Sequence, residues 1–378
     1  MPKFYHFCED QKFINSGYER LYPGNNKFLI YGTPADEIKH IKLNEHFHFI
    51  ELEIDTFKNI PDDGIVIFHS IPEHLIRFLK FLPRTVKIVW LVFGFEVYND
   101  FRLYPEKKSL DEHTYKVFGT KKISLKSQFK ELVWPIYRKI KPTLYLTEKE
   151  HKLAQLKRVD FLGCSFKDEY DQIVKFLGFK RPLFKFWYYP LEDILEINAP
   201  IKTKKEKILV GNSGFKTVNH LDVFSKLKNM TFEYQEIIVP FSYGDPNYMQ
   251  KVKNLNPMDL QKVHYLENFM SLDKYNELLM GVKIAIFNTR RQQAIGNIIS
   301  LIYAGAKVFV SDKNPFFHYL KKNDVQIYCY ETELKPINTA SGLSESEIKI
   351  NRSKLFELLN RNKLEKDLQK AIQNLTNS

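Results

Sequence analysis

From Ile208 to Tyr330 the chain alternates short unbroken apolar runs with segments of helical spacing, and this alternation limits the fold more than any other feature. Ile208–Val210, Glu236–Val239, His264–Leu266, Lys283–Phe287, Lys307–Val310 and Val325–Tyr330 read as strands. Between them, helical spacing covers Val218–Leu227, Tyr248–Leu255, Ser271–Met280 with Ser271 as N-cap, Gln292–Ala304 closed by Gly305, and Pro315–Lys321. Strands that are apolar on both faces and separated by helices build parallel βαβ units with both sheet faces covered. The class is therefore α/β.

The first half repeats the pattern less tidily. Strands are expected at Phe4–Phe7, Phe28–Tyr31, Ile65–Phe68, Ile88–Val92, Leu144–Leu146 and Phe161–Leu162, and helices at Pro72–Leu82, Ser124–Ile140, Glu148–Gln155 and Lys167–Leu177. The charged, proline-marked run from Ala199 to Lys207 reads as a linker. It gives an N-terminal Rossmann-like domain over 1–198, a second over 206–335 and a helical tail over 336–378. Two such halves enclose a cleft, and ligands of open α/β sheets bind beyond the carboxyl ends of the strands.

The net charge is +12. It fits a solvated lysine-rich surface as well as attraction to a phosphate ligand, a nucleic acid or an acidic bilayer. It is spread along the chain without a recognition motif, which disfavours nucleic acid. Cys8, Cys164 and Cys329 lie far apart, a pattern of neither a disulfide framework nor a zinc site, and suited to a reducing compartment. The N-terminal residues lack the basic-then-apolar order of a signal peptide, and no run approaches the ~18 apolar residues of a spanning helix. The expected location is cytoplasmic or peripheral to a membrane.

Three strand ends carry the candidate ligand chemistry. Gly211-Asn212-Ser213-Gly214 follows a buried strand and precedes a helix, where small residues let a phosphate approach free N–H groups. Asn288-Thr289-Arg290-Arg291-Gln292-Gln293 follows another strand, and Gly296 weakens the next helix as though something approached it closely. Pro240-Phe241-Ser242-Tyr243 ends a third and sets Tyr243 near a base or sugar. An ordinary polar turn would also explain each of these fragments. In the first half His69 and Glu96 stand at strand ends, where an imidazole or carboxylate could take a proton from an acceptor hydroxyl. The segment 121–141 sets Leu125, Phe129, Leu132, Val133, Ile136, Tyr137 and Ile140 on one helical face. Lys121, Lys122, Lys126, Lys130, Arg138, Lys139 and Lys141 surround it against Glu131. Either this is a core helix with a basic outer side, or it lies on an anionic bilayer.

The chain has no GxGxxG, no P-loop and no Asp-x-Asp. Arginine and helix N-termini would thus have to hold a diphosphate without a metal.

Taken together, the motifs resemble glycosyltransferase family 56, the TDP-4-acetamido-4,6-dideoxygalactose transferases. The resemblance rests on the Gly211–Gly214 loop with His220, on Val239-Pro240 with Tyr243, on Arg291-Gln292-Gln293-Ala294-Ile295-Gly296 and on Asn314-Pro315-Phe316. Phe68-His69, Trp90–Tyr98 and Tyr188-Tyr189-Pro190 match more loosely, with Phe93 for a tryptophan and Glu96 for an aspartate. The resemblance implies a GT-B fold, with two Rossmann-like domains facing a central cleft, and a TDP-sugar donor without metal or other cofactor. It also implies a polyprenyl-diphosphate-linked acceptor at the cytoplasmic face of the inner membrane, which the 121–141 helix would contact. Gly211, Asn212, Ser213, His220, Pro240, Tyr243, Asn288, Arg291, Gln292, Gln293 and Gly296 would bind the donor, with Glu96 or His69 activating the acceptor. A GT-B transferase with another donor and acceptor, a non-catalytic nucleotide-binding module and a nucleic-acid-binding protein are the alternatives.

Overall fold

The computed structural model describes residues 3–21, 26–33, 41, 44–100, 102–119, 125–141, 145–230, 234–258 and 262–378. Two parallel sheets form, one in each of two compact units.

The first unit comprises Met1–Tyr104, Lys121–Tyr189 and Asn362–Ser378. Its strands are β1 (Phe4–Cys8), β2 (Asn26–Ile30), β3 (Phe47–Phe49), β4 (Ile65–His69), β5 (Lys87–Leu91), β6 (Phe161–Cys164) and β7 (Leu183–Lys185), in the spatial order β3-β2-β1-β4-β5-β6-β7. Every residue of β1, β4 and β6 is buried, as strands covered on both faces require. One face packs Phe7, Phe57, Phe68 and Trp90 together. The other packs Ile67, Val89 and Phe184 against Leu368, Ala371 and Leu375 of the last helix, Arg361–Asn377.

The second unit comprises Pro105–Thr120 and Pro190–Arg361. It holds β8 (Lys205–Val210), β9 (Glu236–Pro240), β10 (Val263–Leu266), β11 (Val282–Phe287), β12 (Lys307–Val310) and β13 (Tyr328–Cys329), ordered β10-β9-β8-β11-β12-β13. Both sheets thus place their first strand beside their second and fourth, the order that reverses direction at a topological switch point.

Several expectations need correction. The helical tail expected over 336–378 is shared between the two units. Helix Glu345–Leu359 belongs to the second unit and Asn362–Ser378 to the first. The passage between units falls at 189/190 rather than in the 199–207 linker, and Pro105–Thr120 joins the second unit. There, buried Asp222 accepts hydrogen bonds from His113 N (2.7 Å), Thr114 N (3.0 Å) and Thr114 Oγ1 (2.6 Å). This places an anion at the start of helix Glu112–Phe118.

The expected strand Val325–Tyr330 shrinks to two residues because Asn351 takes the backbone of Gln326, accepting from its N–H at 2.7 Å and donating to its carbonyl at 3.2 Å. The expected helix Pro72–Leu82 divides into Glu73–Ile76 and a 3₁₀ turn, Leu79–Phe81. Ser271 stands at the N-cap of Leu272–Met280 without a side-chain cap bond. Helix Gln11–Leu21 adds to the expected elements, with Phe13, Ile14, Tyr18 and Leu21 at helical spacing on one face, whereas the three-residue strands β3 and β7 are too short to show a period. Leu144 lies outside the described residues, and Tyr145 and Leu146 are not in a strand.

Candidate functional site

The loops after β8, β9 and β11 of the second unit meet at the carboxyl edge of their sheet. Gly214 and Gly244 form a bridge. Gly214 N–H donates to the Tyr243 carbonyl (2.8 Å), and Asp245 N–H donates to the Gly214 carbonyl (3.0 Å). A β-carbon on Gly244 would stand 2.4 Å from the Gly214 carbonyl, so only glycine permits this approach. Asn212 Nδ2 reaches the Tyr243 hydroxyl at 3.1 Å. Thr217 Oγ1 donates to Gln293 Oε1 at 2.9 Å, and Asn219 Nδ2 donates to the Asn288 carbonyl at 2.7 Å. Gly211, Asn212, Ser213, Tyr243, Asn288 and Gln293 are thereby gathered in one place.

The region is rich in buried polar atoms that no protein group satisfies. Asn212 Oδ1, Ser213 Oγ, His220 Nε2 and Asn288 Oδ1 are all buried without a hydrogen-bond partner. Each such group costs about 1–3 kcal/mol unless something outside the protein satisfies it. The polarity of Asn288 is fixed chemically. Its Nδ2 donates to Asp111 Oδ2 at 2.9 Å, so the open atom is the acceptor Oδ1. Burial alone would raise the pKa of Asp111. The Asn288 hydrogen bond and the Arg290 charge outweigh it, hold the pKa below the usual value and keep the carboxylate ionised. An acceptor suits a hydroxyl or amide N–H of a ligand better than it suits a phosphate oxygen.

His220 is neutral, because burial drives its pKa down to about 3. Its Nδ1 lies 2.9 Å from the Tyr248 hydroxyl. At the mouth, half-exposed Tyr243 and Phe215 meet edge-on with centroids 6.1 Å apart, and either ring offers an apolar face of the kind that packs on a base or sugar.

Other candidates sit differently from expectation. Ala294 adopts a left-handed conformation (φ 63°), so the helix begins at Ile295 rather than Gln292. Arg291, Gln292 and Gln293 therefore occupy the turn before the helix. Arg290 pairs with Asp111 and donates to the Leu110 carbonyl at 3.2 Å, which makes it part of the loop's framework. Pro240 is the buried last residue of β9, paired with Leu266, rather than a loop residue. Gly296 is exposed, and a β-carbon there would meet nothing within 4 Å, so no protein group accounts for the glycine. Asp111, Phe215, Thr217, Asn219 and Tyr248 join the site without a local signal, because their contacts link segments remote in the chain.

In the first unit, Glu96 follows β5 in the short helix Phe95–Tyr98. Its Oε1 accepts from Trp90 Nε1 and from Phe93 N–H, both at 3.0 Å, while Oε2 is buried and unpartnered. Burial raises its pKa, and its own backbone N–H, Phe93, Trp90 and the Ile71 backbone partly offset the rise. Glu169, also buried, is pushed up to about 8 by burial and by the charge of Glu96. His69 ends β4 with both ring nitrogens engaged, Nε2 3.0 Å from His6 Nδ1 and Nδ1 2.7 Å from the Tyr188 hydroxyl. Burial, then the neighbouring His6, push its pKa well below the ordinary value. Gly17 permits this packing, since a β-carbon there would stand 2.9 Å from the His69 ring.

Asp312, Cys329 and Glu331 bring ligand atoms within 4.8 Å of one another. Glu331 already accepts from Ser311 Oγ (2.6 Å) and Asp312 N–H (2.9 Å).

Helix Leu125–Ile140 exposes Phe129 (67%), Leu132 (73%), Ile136 (63%) and Ile140 (74%), so its apolar stripe faces outward and is not core. Lys121 and Lys122, and the side chains of Leu125, Lys126 and Glu131, lie outside the described residues. Among the described residues no helix is long and apolar enough to cross a membrane.

Residues 183–361 match the family model described as 4-alpha-L-fucosyltransferase, glycosyl transferase group 56. The chain is a glycosyltransferase. The matched segment takes in β7 and, beyond it, all of the second unit except Pro105–Thr120. Solved structures share the fold along the whole transferase. One, described as trehalose-6-phosphate from E. coli bound with UDP-2-fluoro glucose, is 8% identical, has a TM-score of 0.62, and matches over 100% of this chain and 99% of its own. The α,α-trehalose 6-phosphate synthase of Burkholderia multivorans is 9% identical with a TM-score of 0.60, over 100% and 98%. The UDP-forming enzyme of Burkholderia xenovorans in complex with glucose-6-phosphate is 10% identical with a TM-score of 0.57, over 99% of both chains. These neighbours give the transferase the GT-B fold, with two Rossmann-like domains. The catalytic assignment removes the non-catalytic module from consideration.

Proposed function

We propose that the transferase moves a deoxyamino sugar of the 4-acetamido-4,6-dideoxygalactose type from a TDP-sugar to a polyprenyl-diphosphate-linked saccharide. The observation that carries this reading is the convergence of three strand-end loops on four unsatisfied buried polar atoms, at the edge where open α/β sheets bind ligands. Arg291, Gln292, Gln293, the Gly211–Gly214 backbone and the open N-terminus of helix Ile295–Ala304 hold the diphosphate. Asn212 and Asn288 accept hydrogen bonds from hydroxyl or amide groups of the donor. Metal is not required, because arginine and helix N–H groups stabilise the departing diphosphate.

Glu96 is the group that accepts or orients the acceptor's hydroxyl proton through its open Oε2. His69, with both nitrogens engaged, positions Tyr188. The outward apolar stripe of Leu125–Ile140, with Lys130, Lys139 and Lys141 beside it, rests on the cytoplasmic leaflet of the inner membrane, where a lipid-linked acceptor is found.

Thermal-shift titration with TDP, UDP, GDP and ADP tests the donor, since a ligand of the folded state alone raises its stability. TDP should raise the midpoint most, and Arg291→Ala should weaken that response at least tenfold. An unchanged response would remove Arg291 from the site, and no response to any nucleotide would remove the site itself.

A further inference from the structure

We propose a second anion site, at the opposite edge of the second sheet from the donor loops, for a small phosphate- or diphosphate-bearing compound. This inference does not depend on the donor assignment. A cavity of about 740 Å³ opens beside the start of β8 and β11, between the 199–204 segment and helix Glu345–Leu359. Its size lies within the roughly 300–1,000 Å³ of small-molecule sites.

Its charges are unbalanced. Lys283 is neutralised by Glu206 at 2.8 Å, and Lys349 by Glu345 at 2.6 Å. Lys204 and Arg352 line the same cavity and donate to neutral carbonyls. Lys204 Nζ donates to the Met280 carbonyl at 2.6 Å. Arg352 donates to Ala199 (2.6 Å) and Tyr303 (2.9 Å), with its guanidinium 4.7 Å from the Tyr303 ring centre. Lys202 adds an exposed third cation to the lining. Like charges lining one cavity, two of them half-buried, repel unless an anion lies between them. Burial, and after it the charge of Arg352, lower Lys204 to about 8. A phosphate dianion can accept charge-assisted hydrogen bonds from lysine and arginine together and remove the imbalance. Carbonyl contacts alone leave the charge uncompensated.

The test is calorimetric and thermal-shift titration of the full chain with inorganic pyrophosphate, the donor loops first saturated with TDP or UDP. Wild type should still bind pyrophosphate, with affinity falling as salt rises. The double variant Lys202→Gln, Lys204→Gln should lose that binding at least tenfold while its nucleotide response stays intact. Should the double variant fail to fold, the exposed Lys202→Gln alone should weaken binding about threefold. Absence of nucleotide-independent binding in wild type, or equal binding in a folded variant, overturns the proposal. Sedimentation with phosphatidic acid vesicles then separates the sources. Loss of sedimentation in the double variant assigns the site to a lipid phosphate, and unchanged sedimentation with lost pyrophosphate binding assigns it to a free one.

Discussion

Asp111→Ala tests whether the segment carried over from the first half of the sequence builds the donor loop. The carboxylate accepts from Asn288 Nδ2 and Glu112 N–H, both at 2.9 Å, and pairs with Arg290. The side chains of Arg290 and Asp111 are 11% and 22% exposed, so solvent screens the pair only in part. An N-cap is worth about 1 kcal/mol, and the two further charge-assisted contacts, discounted for that exposure, about 1 kcal/mol each. The variant should lose about 3 kcal/mol, which for a unit of this size is about 6–12 °C in Tm. The pH dependence has a definite sign. The folded pKa of Asp111 lies below its unfolded value, so the contribution is present above about pH 4 and fades as pH falls through the folded pKa. Urea midpoints of wild type and variant at pH 7 and pH 3.5 measure both parts. With the carboxylate gone, the Asn288 amide is free to turn over, so the donor KM should rise more than kcat falls. A loss under about 1 kcal/mol, or a difference as large at pH 3.5 as at pH 7, would refute the argument.

Gly296→Ala should raise stability slightly, by about 0.5 kcal/mol, because alanine suits a helix better and the space is open. It should weaken nucleotide binding, whereas unchanged binding would show that no ligand approaches that face. Glu169 keeps its proton up to about pH 8 when folded but loses it near pH 4.5 when unfolded. The first unit should therefore lose stability as pH rises between those values, and Glu169→Gln should flatten urea midpoints plotted against pH. Leu132→Glu with Ile136→Glu should leave folding unchanged and reduce binding to phosphatidylglycerol vesicles at least tenfold. Equal binding by wild type and variant would place the membrane contact elsewhere.

The α/β class, both sheets and most of the strands that carry the site are legible in the order of residues. Continuous apolar runs such as Ile284–Phe287 and Ile65–Phe68 suit strands covered on both faces, so their burial is written locally. The small residues Gly211–Gly214 and the polar run after Phe287 were visible for the same reason, since each follows directly on such a strand.

Tertiary structure alone decided how those loops are joined. Asp111 meets Asn288 and Arg290 from far away in the chain, and Asn351 replaces the strand backbone at Gln326 from another helix. It also decided which arginine serves the framework, that Ala294 turns left-handed before the helix begins, and that His69 is already paired through both nitrogens. Periodicity records how a residue meets its neighbours along an element. Hydrogen-bond partners drawn from distant segments leave no period in the sequence, and most of the chemistry of this site depends on such partners.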